Sequence, residues 1–149
     1  MPAYKLLQRY HLTLLAVALM AAVIALYWQT FSRLIGMWSI SYYEYGWLVY
    51  PASLYVLLRK RHELASIQWR TSKLGIVVLT LLVLAWLVAS VAGVQVLEFI
   101  SATLLVFAAF WAIAGSDAMR KAAFPLLLLL AAVPVTEFLI EPLMRITAG

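Results

Sequence analysis

The sequence has no cysteine and little charge: 11% of its 149 residues are charged, whereas 66% are hydrophobic. The lack of cysteine excludes disulfides, thiolate metal sites and a cysteine nucleophile within these residues. In soluble domains roughly a quarter of the residues are charged, so a soluble fold of this length has too small an interior for so much apolar surface. We therefore predict that lipid solvates much of the chain.

Motifs typical of soluble enzymes are also missing. The sequence contains no H-x-x-E-H, Walker or G-x-S-x-G pattern, and it predicts no metal site and no cofactor. The net charge of +5 does not indicate nucleic acid, because the cations lie in short links between apolar runs and form no continuous basic face. The sequence therefore predicts the lipid bilayer, and no nucleic acid, as a partner of the chain.

Five apolar runs predict an all-α fold, a polytopic transmembrane helical bundle that forms a single membrane domain over residues 1–149. The first run is at the short limit of spanning length, and a signal peptide is the alternative interpretation because small residues lie near its end. A very short turn between the third and fourth runs predicts a tight antiparallel hairpin, with small residues from Ser101 to Ala109 that permit close helix approach. The predicted spans lie at about residues 12–28, 40–58, 74–92, 96–114 and 122–140.

Aromatic residues and prolines mark the weaker spans. The second run reaches spanning length only when an aromatic segment before Gly46 is included, and Pro51 is predicted to bend it. The sequence predicts a link at residues 115–121, Pro125 in the first turn of the fifth span, and a kink at Pro134. The aromatic segment predicts a belt at the membrane interface, formed by Trp38, Tyr42, Tyr43, Tyr45, Trp47 and Tyr50.

The distribution of cations predicts the orientation of the spans. With five spans, nine of the 11 lysines and arginines fall on one side of the membrane, and only Arg33 and Arg145 fall on the other. The positive-inside rule then predicts a cytoplasmic N-terminus and an outer C-terminus. Arg59, Lys60 and Arg61 are predicted as a cytoplasmic topology anchor, and attraction of anionic lipid is the alternative interpretation.

Glutamates near the predicted outer face are the candidate site residues. Glu98 and Glu137 each lie within about one turn of the outer end of an apolar helix, where a carboxylate is costly and is a candidate for function. Arg145 is predicted to pair with Glu137 or Glu141. The alternative is structural, with carboxylates that are wetted or paired only to fix the helices. No catalytic residue is predicted, since no spacing places Glu98 and Glu137 in one site.

Three segments in this order resemble the N-terminal half of an exosortase, a bacterial multispan membrane protein of the exosortase/archaeosortase family. They are "YGWLVYPASLYVLLRKR", "AFPLLLLLAAVPV" and "PLMRITA". The resemblance implies a cysteine transpeptidase or protease embedded in the inner membrane of bacteria that make exopolysaccharide. It also implies substrates with a C-terminal sorting tail, which consists of a short motif, a membrane span and a basic cluster.

The chain departs from the family pattern at the positions that matter most for catalysis. The resemblance implies a cysteine, an arginine and a histidine that act at the outer face, but these would follow "PLMRITA" and match no residue of this chain. Tyr45 also stands before Gly46, where the family often has histidine. We therefore expect the chain to be inactive alone, and to need the missing C-terminal half as well as the substrate's tail helix as partners.

Two other functions remain open at this point. A small non-enzymatic membrane subunit for envelope or polysaccharide-export assembly is the main alternative, because the chain carries no nucleophile of the expected type. Half of a transporter is less favoured, since the sequence has no internal repeat.

Overall fold

The computed structural model describes residues 3–39, 44–133 and 136–148, and helix is the only regular secondary structure in these ranges. The predicted all-α fold class is confirmed. In chain order the helices are α1 (Ala3–Leu26), α2 (Trp28–Met37), α3 (Tyr45–Arg59), α4 (Arg61–Ser66), α5 (Lys73–Ala92), α6 (Gln95–Ala114), α7 (Ser116–Ala131) and α8 (Thr136–Thr147).

The helices α5 and α6 form the predicted hairpin. Both are long and apolar enough to cross a membrane, and each begins only one residue before its predicted span. Gly93 ends α5 in the left-handed conformation, with φ of 69°. The N–H groups of Gly93 and Val94 donate to the carbonyls of Ser90 and Ala89. These bonds satisfy the last carbonyls of α5, so the chain reverses within a short turn.

The centre of the bundle is α6, against which α1, α2, α5 and α7 all pack. Its small residues between Ser101 and Ala109 permit this close packing, as predicted. At Gly75 of α5, an added Cβ atom would lie 2.6 Å from the backbone nitrogen of Ala112, so the two backbones nearly touch there. The buried small residues of α6 are Ser101, Ala102, Ala108 and Ala109.

The first predicted span corresponds to most of α1, which continues into α2 through a bend of 72° at Tyr27. Hydrogen bonds continue through the bend, since Tyr27 N–H donates to Val23 O at 3.0 Å and Phe31 N–H donates to Tyr27 O at 3.0 Å. Among the described residues, α5, α6 and this bent pair have the length and composition to cross a membrane. The count of five spans stays a prediction.

The helix α3 packs against α7, and α7 packs against α6. With 15 residues, α3 is about 22 Å long, shorter than the roughly 30 Å of a bilayer core. The first part of the predicted second span, residues 40–43, lies outside the described residues, as do Tyr42 and Tyr43 of the predicted belt. Ser53 connects the two helices, because its hydroxyl donates to the carbonyl of Pro125.

The start of α7 differs from the prediction. The segment expected to be a link is helical from Ser116, so Pro125 lies inside the helix and not in its first turn. The reason is that Gly115, with φ of 89°, turns the chain directly after α6, while Ala118 and Ala122 pack into the core. The predicted fifth span therefore covers parts of α7 and α8, and Pro134 lies outside the described residues.

A side chain from α3's end compensates for the proline inside α7. Pro125 has no N–H, so the carbonyl of Lys121, one turn earlier, loses its helical partner. Lys60 Nζ donates to this carbonyl at 3.1 Å. Lys60 thus replaces the helical hydrogen bond that the proline removes, at an exposed position of the bundle.

Candidate functional site

Glu98 is a buried carboxylate in the first turn of α6, at the end of the bundle that carries the turn at residues 93–94. We call this end the hairpin end. Glu98 is only 4% exposed. The N-terminus of a helix stabilises a negative charge, because its free N–H groups point toward it. This contribution is small beside the cost of burying a carboxylate, so Glu98 also needs a cation.

Arg33 of α2 supplies that cation. Its Nη2 atom lies 2.5 Å from Glu98 Oε2, so the two side chains form an ion pair. The two partners differ in environment, since the side chain of Arg33 is 48% exposed and that of Glu98 is 5% exposed. One end of the pair is therefore accessible from outside the protein, and the other is part of its interior.

Two aromatic contacts hold α2 in position for this pair. Tyr27 and Trp86 meet edge to face, with ring centroids 4.6 Å apart. Trp86 Nε1 donates to Thr30 Oγ1 at 3.3 Å. Because Trp86 belongs to α5 and Glu98 to α6, α2 is attached to both helices of the hairpin.

Trp38 joins a third part of the bundle to the same end. It follows α2, is 4% exposed, and its Nε1 donates to the carbonyl of Ala132 at the end of α7, at 3.1 Å. Trp47 and Tyr50 of α3 pack on it, with ring centroids 5.7 and 4.7 Å away. Gly46 is necessary for this packing, since an added Cβ atom there would lie 2.4 Å from Trp38 Nε1.

The predicted interfacial belt is therefore partly a packed cluster. Trp38 is a core residue, Tyr50 is half-buried, and Tyr45 and Trp47 are exposed. The prediction was wrong for Trp38 because its indole N–H finds a partner inside the protein, at the end of a helix that stands far from it in sequence.

The predicted site residues fall into two groups. Glu98 forms the pair with Arg33, which the sequence did not identify as its partner. Glu137 and Glu141 belong to α8, but their side chains lie outside the described residues, so their pairing with Arg145 stays a prediction. One feature of the sequence could have identified Arg33 as this partner. Arg33 and Arg145 are the only two cations predicted on the same outer side as Glu98.

The predicted topology anchor lies at the opposite end of the bundle, where α3 meets α4. Lys60 donates to Lys121 O, as described above, and the guanidinium carbon of Arg59 lies 5.9 Å from the centre of the Tyr55 ring. Arg61 Nε donates to His62 Nε2 at 3.4 Å.

At the hairpin end, the ion pair neutralises two charges and joins α2 to α6. A guanidinium and a carboxylate in contact neutralise each other, and neither is a nucleophile in this state. Within the part of the chain that the structure describes, no three acidic or histidine side chains come together as metal ligands would. The arrangement is therefore suited to positioning α2 against α6 at this end of the bundle.

Comparison with known proteins relates this chain to one protein family. The family model for transmembrane exosortases matches residues 37–149. No curated protein and no solved structure shows a significant match. The matched region includes Glu98 and begins after Arg33, so the ion pair connects the matched region to the segment that precedes it.

We expect the two halves of the ion pair to respond unequally to neutralisation. In Arg33→Gln a buried carboxylate loses its cation, whereas in Glu98→Gln the remaining guanidinium is half-exposed and water can solvate it. Arg33→Gln should lower the free energy of unfolding by roughly 1–3 kcal/mol, and Glu98→Gln by less. The measurement is unfolding by SDS in mixed micelles, followed by circular dichroism.

The double variant completes this test. When Glu98 is already Gln, the change Arg33→Gln should have little further effect, because no buried charge remains to be left alone. A larger effect for Glu98→Gln than for Arg33→Gln, or a double variant whose effect equals the sum of the single ones, would contradict the assignment.

Proposed function

Since the chain belongs to the transmembrane exosortase family, we propose that it forms the N-terminal membrane portion of an exosortase that processes proteins with a C-terminal sorting tail. We place it in the inner membrane of bacteria that make exopolysaccharide, as a multi-pass protein. The observation that carries this proposal is the family match over residues 37–149. The order of the three segments that resemble exosortases supports it.

The catalytic chemistry is assigned to sequence beyond these residues. The family's proposed nucleophile is a cysteine, which this chain lacks. A thiolate activated by a neighbouring base and cation would be supplied by a segment that follows "PLMRITA". Residues 1–149 would then form the membrane-spanning framework on which that segment and the substrate's tail helix assemble.

Two sets of contacts support the proposed orientation. At the hairpin end, Arg33 meets Glu98, and both fall on the predicted outer side. At the opposite end, Lys60 meets the backbone of Lys121, and both fall on the predicted cytoplasmic side. The orientation was predicted from the distribution of lysines and arginines, without any information on contacts. Residues that it places on the same side of the membrane nevertheless lie in contact.

The same contacts support five alternating crossings. The chain would rise through α1, lie along the outer surface as α2, descend through α3, and then cross through α5, α6 and α7. Trp38 and Ala132 meet at the hairpin end, whereas Lys60 and Lys121 meet at the other end, so α3 and α7 run in opposite directions as this order requires. In this arrangement α8 lies at the outer surface.

We assign Glu98 a structural role at the outer surface. Its carboxylate is already neutralised by Arg33, so it is not available for the catalytic arginine of the missing segment. Glu137 and Glu141 of α8 are better candidates for contact with a cationic part of the substrate or with that arginine, because α8 is the helix that leads toward the missing segment.

The proposed orientation can be measured with single cysteines, because the chain has none of its own. Ser32→Cys and Ala92→Cys, both at exposed positions of the hairpin end, should react with a membrane-impermeant maleimide in intact cells. Ala65→Cys and Asp117→Cys, exposed at the opposite end, should react only after permeabilisation. Labelling of Ala65→Cys in intact cells would contradict the proposal.

The proposed function is tested by processing of a substrate. The chain is expressed together with the reading frame that follows it, in cells that produce a reporter protein with a sorting tail. We expect removal of the tail, and we expect loss of this activity when the following cysteine is replaced by alanine. The matched control is expression of residues 1–149 alone, which should leave the reporter intact.

Two results would contradict the proposed function. A stop codon directly after codon 149 would favour the non-enzymatic membrane subunit. Removal of the tail by residues 1–149 alone would show that the reaction does not need a cysteine.

A further inference from the structure

We infer that the cations at the α3–α4 corner and on α7 bind the phosphate headgroup of an anionic phospholipid. The inference rests on the orientation proposed above, which places these cations at the cytoplasmic membrane surface, but it needs no peptide processing. We call the site the basic cluster; it consists of Arg59, Lys60, Arg61, Arg120 and Lys121.

The basic cluster is formed by two segments that are distant in sequence. Lys60 Nζ donates to the carbonyl of Lys121 at 3.1 Å, which holds the α3–α4 corner against α7. Leu64 of α4 packs in one hydrophobic cluster with Ala118 and Ala122 of α7, on the turns that carry the cations of α7. The proline inside α7 makes this contact possible, because it frees the carbonyl that Lys60 caps.

Within the described residues, the cations of the basic cluster are not occupied by ion pairs. Arg59, Arg61, Arg120 and Lys121 are exposed, and none of them forms an ion pair with a carboxylate in the described ranges. Arg59 lies over the ring of Tyr55 instead, and Arg61 donates to His62. An anion from outside the protein can therefore contact several cations at once.

Apolar side chains continue directly below the cations, toward the centre of the predicted membrane. Within about two turns of them, Leu54 and Tyr55 are 56% and 61% exposed on α3, and Phe124 and Leu127 are each 59% exposed on α7. A phospholipid has the same order of groups, with a charged phosphate above an acyl chain. A soluble anion such as a nucleic acid has no part that matches the apolar residues.

A second group of cations at the same end provides the comparison. Arg70, in the link before α5, and Lys73, the first residue of α5, satisfy the positive-inside rule equally well. They come from a single segment, in which Arg70 Nη2 donates to Gln68 Oε1 at 3.4 Å. If charge alone attracted lipid, the two groups would contribute equally to lipid affinity. If the basic cluster is a binding site, it contributes more than Arg70 and Lys73.

Native mass spectrometry of the detergent-solubilised chain measures this difference. The chain is titrated with dioleoyl phosphatidylglycerol and, separately, with dioleoyl phosphatidylcholine. The test variant is Arg59→Gln with Lys121→Gln, and the matched control is Arg70→Gln with Lys73→Gln, so each loses one arginine and one lysine. Lys60 is left unchanged because it caps a backbone carbonyl.

We expect the parent chain to retain phosphatidylglycerol in preference to phosphatidylcholine. The affinity for phosphatidylglycerol should fall about tenfold or more in the test variant and less than about threefold in the control. An equal loss of affinity in both variants would overturn the proposed lipid site, and the basic cluster would then be a topology anchor only. Equal retention of the two lipids by the parent chain, or preferred binding of a short RNA oligonucleotide added as competitor, would also overturn it.

Circular dichroism of the same samples distinguishes loss of lipid binding from loss of the fold. All substituted residues of the test variant are exposed, so its helix content and thermal transition should match those of the parent chain. The lipid preference of the parent chain tests the inference even without the variants. Failure of the processing experiment would leave this measurement unchanged, so the two proposals are separable.

Discussion

A polar group inside a bilayer has no water to bind, and it must find its partner within the protein. In this chain that requirement determines where the helices meet. Two buried side chains, Trp38 and Ser53, donate to the backbone carbonyls of Ala132 and Pro125, and at an exposed position Lys60 donates to that of Lys121. The buried carboxylate of Glu98 finds its cation on α2. Each of these bonds joins segments that apolar packing alone would leave free to slide.

Three of these bonds lie at the two ends of the bundle, and the bond from Ser53 to Pro125 lies between them. Arg33 with Glu98 and Trp38 with Ala132 lie at the hairpin end, whereas Lys60 with Lys121 lies at the other. Between them α6 is surrounded by other helices, which its small side chains allow to come close. A bundle fixed at both ends in this way keeps the relative positions of its helices.

The parts of the fold that depend on local sequence were predictable. The spans in α5 and α6 were predicted closely, because each is an uninterrupted apolar run and Gly93 marks the turn between them. The start of α7 was not predictable in this way. Its first turns carry charged residues typical of a link, and only packing against the core shows that Ala118 and Ala122 belong to a helix.

The candidate site was predictable only in part. Glu98 stands out in the sequence because a carboxylate near the end of an apolar helix is unusual. Its partner does not, since Arg33 is 65 residues away and no helical spacing relates positions on different helices. The same limit applies to Trp38, whose sequence context predicts an interfacial residue. Its partner, Ala132, contributes only a backbone carbonyl, which no sequence pattern indicates.

The juxtaposition of α2 with the start of α6 is the central claim, and crosslinking in native membranes tests it most directly. A short bifunctional thiol reagent is applied to the double variant Arg33→Cys with Glu98→Cys, and to the control Glu98→Cys with Asp117→Cys, which leaves only the half-exposed Arg33 without its partner. Removing both charges together leaves no buried charge alone, so the first variant should keep its fold. The structure predicts a crosslink in the first variant and none in the control. A crosslink confined to the control would contradict it.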